Sequence, residues 1–194
     1  MKNLESLFRI TLSHLENSSP IFLKYHNADH TRQVIRSVEN IANAENVKSE
    51  DLRLLRVAAL FHDIGYLEQR EGHEKLSCAE AKKILPEYGF DTEEINKICG
   101  MIMATQIPQQ PTNHLEKIIA DADLEYIGTA LYDKGSMLLF EELKHFEPKL
   151  TDREWHKRKV GFLENHHFHT DFCRKEREST KIENMNRLKS VGIG

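Results

Sequence analysis

The stretch Ala58-Ala59-Leu60-Phe61-His62-Asp63-Ile64-Gly65-Tyr66 constrains this chain more than any other: an apolar run ends abruptly in an adjacent histidine and aspartate, then a glycine. Upstream, Leu52 to Phe61 is apolar on nearly every side of a helix, which marks a central, enclosed element. Two ionisable side chains at the end of a buried helix need compensation, because an unpaired buried charge is strongly disfavoured. A metal ion is the simplest partner that satisfies both.

Around that helix the pattern is helical throughout. Leu4, Leu7, Phe8, Leu12 and Leu15 repeat at helical spacing, which predicts an amphipathic N-terminal helix that Ser18-Ser19-Pro20 stops. Asn27 caps a second helix with Asp29 in its first turn, and His30 then shares a face with Val34, Val38 and Ile41. Ser49-Glu50-Asp51 supplies a cap and an acidic first turn for the third. A fourth helix runs from about residue 73 to 85, before Pro86, and Asp91-Thr92-Glu93-Glu94 reads as a capping box for a fifth.

After the loop marked by Pro108 and Pro111, Asn113 with Glu116 opens a helix through Leu115, Ile118, Ile119, Ala122 and Tyr126. Further helices are expected near residues 130–145, 152–167 and 171–190. No segment alternates as a strand does. The expected fold is therefore all-α: one multi-helix domain over 1–194, with a core at about 25–127 and a helical packing region at about 128–194.

At 194 residues the chain can bury roughly 70% of its unfolded surface without disulfide staples. Twenty-seven Lys and Arg against 31 Asp and Glu exclude the broad basic footprint of a protein that coats nucleic acid, while small phosphorylated ligands stay open. Cys78, Cys99 and Cys173 are odd in number and form no CxxC, so they read as reduced cytosolic thiols. Residues 1–16 include Glu5 and no continuous apolar run, so neither a signal peptide nor a membrane span is indicated. A cytoplasmic location is the expectation.

His30, the His62-Asp63 pair and Asp123 lie far apart in sequence, yet each falls on or beside an apolar face. Imidazoles mixed with carboxylates suit iron, manganese, zinc, cobalt, nickel or a magnesium-containing pair, which leaves metal identity open. Within Asp121-Ala122-Asp123, Asp123 lies about 84° and Asp121 about 116° from the centre of the apolar stripe. Asp123 is the inward candidate, and Asp121 is left to orient a histidine or a metal-bound water. Taken singly these residues are bland: an inward histidine is ordinarily a satisfied core residue, and an arbitrary aspartate a solvated or capping one.

Taken in order, His30, His62-Asp63 and Asp123 resemble the H…HD…D signature of the HD superfamily of metal-dependent phosphohydrolases, over most of the span from Tyr25 to about Asp123. Tyr25-His26-Asn27-Ala28-Asp29-His30 is similar to the YHNxxH segment of cyclic-nucleotide phosphodiesterases, and Ala122-Asp123-Leu124 to the ADL-type segment that carries the last ligand. Trp155, Phe162-Leu163 and His166 resemble small bacterial members, with no chemistry assigned to them.

The resemblance implies an HD-type bundle with a metal site between core helices. His30, His62, Asp63 and Asp123 would hold one divalent ion (Mn, Fe, Mg, Zn, Co or Ni), and Asp63, counted as catalytic, would bridge to a second ion bound mainly by water. The ion activates water for attack on phosphorus. By the same resemblance His26 protonates the leaving oxygen; the residues alone allow it simply to hydrogen-bond at the start of the second helix. His73-Glu74 supplies extra ligands or substrate contacts, or else is the exposed first turn of a helix. Thr105-Gln106 is a substrate contact by resemblance and an ordinary helix end by sequence. His166 and His169, as helical neighbours, offer a second metal site that no residue elsewhere completes.

The implied function is metal-dependent hydrolysis of a phosphoester in a nucleotide or related small phosphate. Cyclic phosphodiester, phosphomonoester and pyrophosphate substrates all remain open. The alternative is a non-catalytic module that binds a nucleotide or a partner protein around a structural metal, against which the intact ligand set counts.

Overall fold

In the computed structural model, which describes residues 3–191, the enclosed helix is Ser49–Phe61. Numbered in chain order it is α3, after α1 (Leu4–Ser18) and α2 (Ala28–Ala44). Every side chain from Val57 to Phe61 is fully buried. Around it pack α2, α5 (Thr92–Met103) and α6 (His114–Leu124), while α4 (His73–Ile84) lies against α5. Then follow α7 (Tyr132–Phe146), α8 (Asp152–Asn165), α9 (Asp171–Glu176) and α10 (Glu178–Ser190), with α10 packed on α8 and on the 3₁₀ turn Glu125–Gly128. Among the described residues there are ten α-helices and no strand, so the domain is all-α.

The helix ends follow from local chemistry. The Asn27 carboxamide accepts from the backbone N–H of Asp29 (2.9 Å) and His30 (3.3 Å), and Asn113 does the same for Glu116 at 3.1 Å. Reciprocal capping boxes open α5, through Asp91 and Glu94, and α8, through Thr151 and Glu154. Each such cap contributes about 1 kcal/mol. None of the helices in the described residues is long and apolar enough to cross a membrane.

Four local expectations are corrected. Ser49 is the first helical residue of α3 rather than its cap; the cap position is Lys48, whose side chain makes no capping bond. That end relies on the acidic first turn of Glu50 and Asp51. Helix α6 stops at Leu124, and the chain tightens to 3₁₀ over Glu125–Gly128 instead of continuing through Tyr126. The helix expected over 171–190 breaks at Arg177 (φ −121°, ψ −25°), which backs onto Gly128 so closely that a Cβ there would lie 2.5 Å from the Arg177 carbonyl oxygen. Finally, α8 ends at Asn165, so His166 and His169 lie in the following link and are not helical neighbours.

Candidate metal centre

Three core helices deliver the histidine and aspartate side chains to one point. His30 sits in the first turn of α2, His62 and Asp63 directly follow α3, and Asp123 lies in the last turn of α6. One ligand atom each from His30, His62 and Asp123 fall within 4.8 Å of one another. His30 Nε2 is 3.2 Å from His62 Nε2 and 3.1 Å from Asp123 Oδ1, and His62 Nε2 is 3.5 Å from Asp123 Oδ1. Asp63 closes the group, its Oδ2 standing 3.1 Å from His62 Nε2 and 3.3 Å from His30 Nε2.

These residues fit a cation. His62 donates Nδ1–H to the Ala59 carbonyl at 2.8 Å, so in the neutral ring Nε2 presents a lone pair to its neighbours. Asp63 Oδ2 is buried without a hydrogen-bond partner, and the two histidine Nε2 atoms face each other. Donor atoms about 2.1 Å from a shared ion stand roughly 3.0–3.4 Å apart in octahedral or tetrahedral arrangements, which matches the observed spacing.

The electrostatics are those of a site that draws positive charge, either protons on the imidazoles or a cation in their place. Burial by itself raises the aspartate pKa values and lowers those of the histidines, and their mutual attraction reverses both. Asp63 is held well below the ordinary carboxylate range and Asp123 at about 2, while His30 and His62 are raised.

Gly65 explains why a glycine follows the pair. A Cβ at that position would lie 2.1 Å from the His73 carbonyl oxygen, so only glycine lets the start of α4 close onto the turn. Ser77 locks the approach: its buried hydroxyl donates to the His62 carbonyl (2.8 Å) and accepts from Gly65 N–H (3.0 Å). His73 Nε2 is thereby brought 3.3 Å from Asp63 Oδ1, whereas His30 and His62 stand by Oδ2. Its Nδ1–H donates to the Arg70 carbonyl at 3.0 Å, and despite burial the neighbouring Asp63 raises its pKa. Glu74 is buried with one oxygen unpartnered, so the pair is not an exposed first turn.

A cavity of about 300 Å³ opens from Asp63 and Asp123, lined also by His26, His73, Glu74 and Thr105. His26 does not cap α2, a task Asn27 performs. Its Nδ1 instead contacts a carboxylate oxygen of Glu142 on α7, whose other oxygen accepts from the backbone N–H of Tyr25 (2.9 Å) and His26 (3.0 Å). The imidazole stacks on Tyr66 at 3.9 Å between centroids. Thr105 is buried at the end of α5 with its hydroxyl donating to the Ile102 carbonyl at 2.8 Å, while Gln106 is exposed.

Glu142 escaped the sequence reading. The available signal was a lone acid within the stripe of Leu139, Leu143 and Phe146 on α7.

Asp121 takes neither of the roles expected for it at the metal. It is completely buried, and its carboxylate accepts from His169 N–H (2.8 Å), Thr170 N–H (2.8 Å) and the Thr170 hydroxyl (2.6 Å). The helical wheel of α6 set it outside the apolar stripe, but residues 166–170 cover that side. His166 is buried with both ring nitrogens unpartnered, and burial pushes its pKa down to about 3. His166 and His169 belong to no three-residue metal-type group among the described residues.

No match was found among curated proteins. Solved structures of similar fold include a predicted HD superfamily hydrolase from an uncultured Thermotogales bacterium, 22% identical over 97% of this chain and 98% of that one, with a TM-score of 0.64. Bacillus subtilis YpgQ in complex with ADP is 18% identical over 96% and 97%, with a TM-score of 0.63. A Lactobacillus plantarum protein is 15% identical over 97% and 98%, with a TM-score of 0.68. The HD domain family model matches residues 27–125, just over half of the chain and the segment that carries all four clustered side chains. The chain belongs to the HD domain family.

Proposed function

We propose that this protein is a metal-dependent phosphohydrolase that cleaves a phosphoester of a nucleotide or related small phosphate by metal-activated water. One observation carries the reading: two imidazole nitrogens and two carboxylates, one oxygen of them orphaned, converge at the end of a cavity that also presents a carboxylate-held histidine. The ADP bound to YpgQ, on a similar fold, supports a nucleotide as the ligand class.

His30, His62, Asp63 and Asp123 would hold the ion. When bound, it supplies a water acidified for attack on phosphorus and positive charge to match the phosphoryl oxygens. Glu142 engages Nδ1 of His26 and leaves Nε2 as the nitrogen that passes a proton to the leaving oxygen. Stacking on Tyr66 and the backbone bonds of Tyr25 and His26 to Glu142 fix that ring before substrate arrives. His73, in van der Waals reach of Tyr66 and beside Asp63, contacts the substrate phosphate. Thr105 donates inward, so it offers acceptor lone pairs suited to a sugar hydroxyl. Three buried, free cysteines support the cytoplasmic location.

The test supplies manganese, iron, magnesium, zinc, cobalt or nickel and assays cyclic nucleotides, nucleoside mono-, di- and triphosphates and an aryl phosphodiester. Turnover of at least one class, abolished by chelation and restored by metal, is expected. Stoichiometric metal without turnover under any supply would sink the reading and leave the non-catalytic module.

A further inference from the structure

Charge is segregated along the cavity. The carboxylates that line it, Asp63, Glu74 and Asp123, belong to the metal end and its neighbour His73. The rest of the lining carries three cations, Arg70, Arg158 and Lys159, and no carboxylate. Arg70 comes from the link before α4, and Arg158 and Lys159 come from α8. Both arginines reach for one acid outside the lining, Glu147, just past α7. Arg158 Nη2 lies 2.7 Å from one carboxylate oxygen and Arg70 Nη1 3.3 Å from the other.

All three side chains of that bridge are a third to a half exposed, so the bonds exchange readily with solvent or a competing anion. Each guanidinium also commits only one of its five N–H donors to Glu147. Within the lining the charged side chains at this end are all positive; Glu147 is the carboxylate that touches the two arginines, while Glu154 acts on Arg158, and Asp133 and Asp152 on Lys159, from outside the lining. A substrate whose only anionic group sits at the metal end has nothing to place there. A second phosphate does, and the planar fork of arginine matches phosphate oxygens two at a time.

We propose that Arg70 and Arg158 are specificity-determining residues that select substrates bearing a second anionic group beyond the reacting phosphoryl, as in a nucleoside diphosphate, and that Glu147 is the internal anion this group displaces. The proposal rests on reading the cavity as a phosphoester site. It assigns Glu147 a competitive role: removing its charge frees the arginines for ligand.

Calorimetric titration of the full chain with AMP, supplied as its hydrolysis-resistant 5′-methylenephosphonate, and with the hydrolysis-resistant α,β-methylene analogue of ADP tests this without turnover. In the wild type the analogue is expected to bind about tenfold tighter than AMP. Arg158→Gln should shrink that gap to about threefold or less by weakening the analogue, and Arg158→Lys should restore part of it. Glu147→Gln should tighten the analogue about two- to fivefold and leave AMP unchanged. A gap unmoved by Arg158→Gln, equal weakening of both ligands, or failure of the analogue to bind would overturn the proposal. A protein that hydrolyses nucleotides but shows an unmoved gap contradicts this selection alone. One that shows the expected gap pattern without hydrolysis contradicts only the catalytic reading.

Discussion

The segment matching the HD domain family and the helices after it share one cavity but build it by opposite means. The first contributes short side chains, His30, His62 and Asp63 buried and Asp123 half-buried, with the turn from His62 to Gly65 fixed through Ala59 and Ser77. The second contributes longer groups that hold, wall and select: Glu142 behind His26, Trp155 and Phe162 along the wall, Arg158 and Lys159 beyond, where they meet Arg70 from the first. Rigid convergence is what metal chemistry needs, and adaptable reach is what ligand selection needs. Substitutions in the two regions should therefore fail differently.

The largest effect belongs to the first region. Asp63→Ala should lose the ion and lower turnover by about 10³-fold or more, since Lewis-acid stabilisation supplies several kcal/mol. Turnover comparable to wild type, with metal retained, would break the contrast at its root.

At the pair that the second region completes, Glu142 behind His26, the ion should stay. His26→Gln is expected to keep its metal and lose about 10²-fold in kcat, most severely for poor leaving groups. Glu142→Gln, acting only by positioning that ring, should lose about tenfold with the same leaving-group dependence. A leaving-group series on both variants checks this, and a flat series would remove the proton-transfer role.

Asp121→Ala separates the two aspartates. It should leave kcat unchanged but lower stability by about 2–4 kcal/mol in urea unfolding, because two backbone N–H groups and the Thr170 hydroxyl lose their acceptor. The smallest effect is one of pH. Burial, aided by Lys181, holds His166 at about 3, whereas the unfolded imidazole titrates near 6.5. Below pH 6.5 the unfolded chain therefore binds a proton that the folded one refuses, and stability falls as pH drops. The contribution of this one group should reach about 2 kcal/mol at pH 5, read as the difference in pH dependence between wild type and His166→Phe.

Much of this was legible in sequence because the signals are local. Helical periodicity located the helices, Asn27, Asp91 and Asn113 marked three of their starts, and the order of His30, His62-Asp63 and Asp123 identified the clustered side chains. What escaped depends on partners distant in the chain. Glu142 meets His26 across 116 positions; its place as a lone acid in an apolar stripe marks it as unusual but does not say which residue it faces. The wheel of α6 cannot see residues 166–170, which bury Asp121. The break at Arg177 packs against Gly128, distant in the chain, and no local pattern in the sequence sets Arg70 and Arg158 on one cavity.

The most direct test of a metal centre built from these four side chains is the ion content per chain, by elemental analysis, of wild type, Asp123→Ala and Asp121→Ala proteins purified alike. Bound metal is expected in the wild type and in Asp121→Ala, and its loss in Asp123→Ala. Metal retained by Asp123→Ala and lost from Asp121→Ala would contradict the assignment.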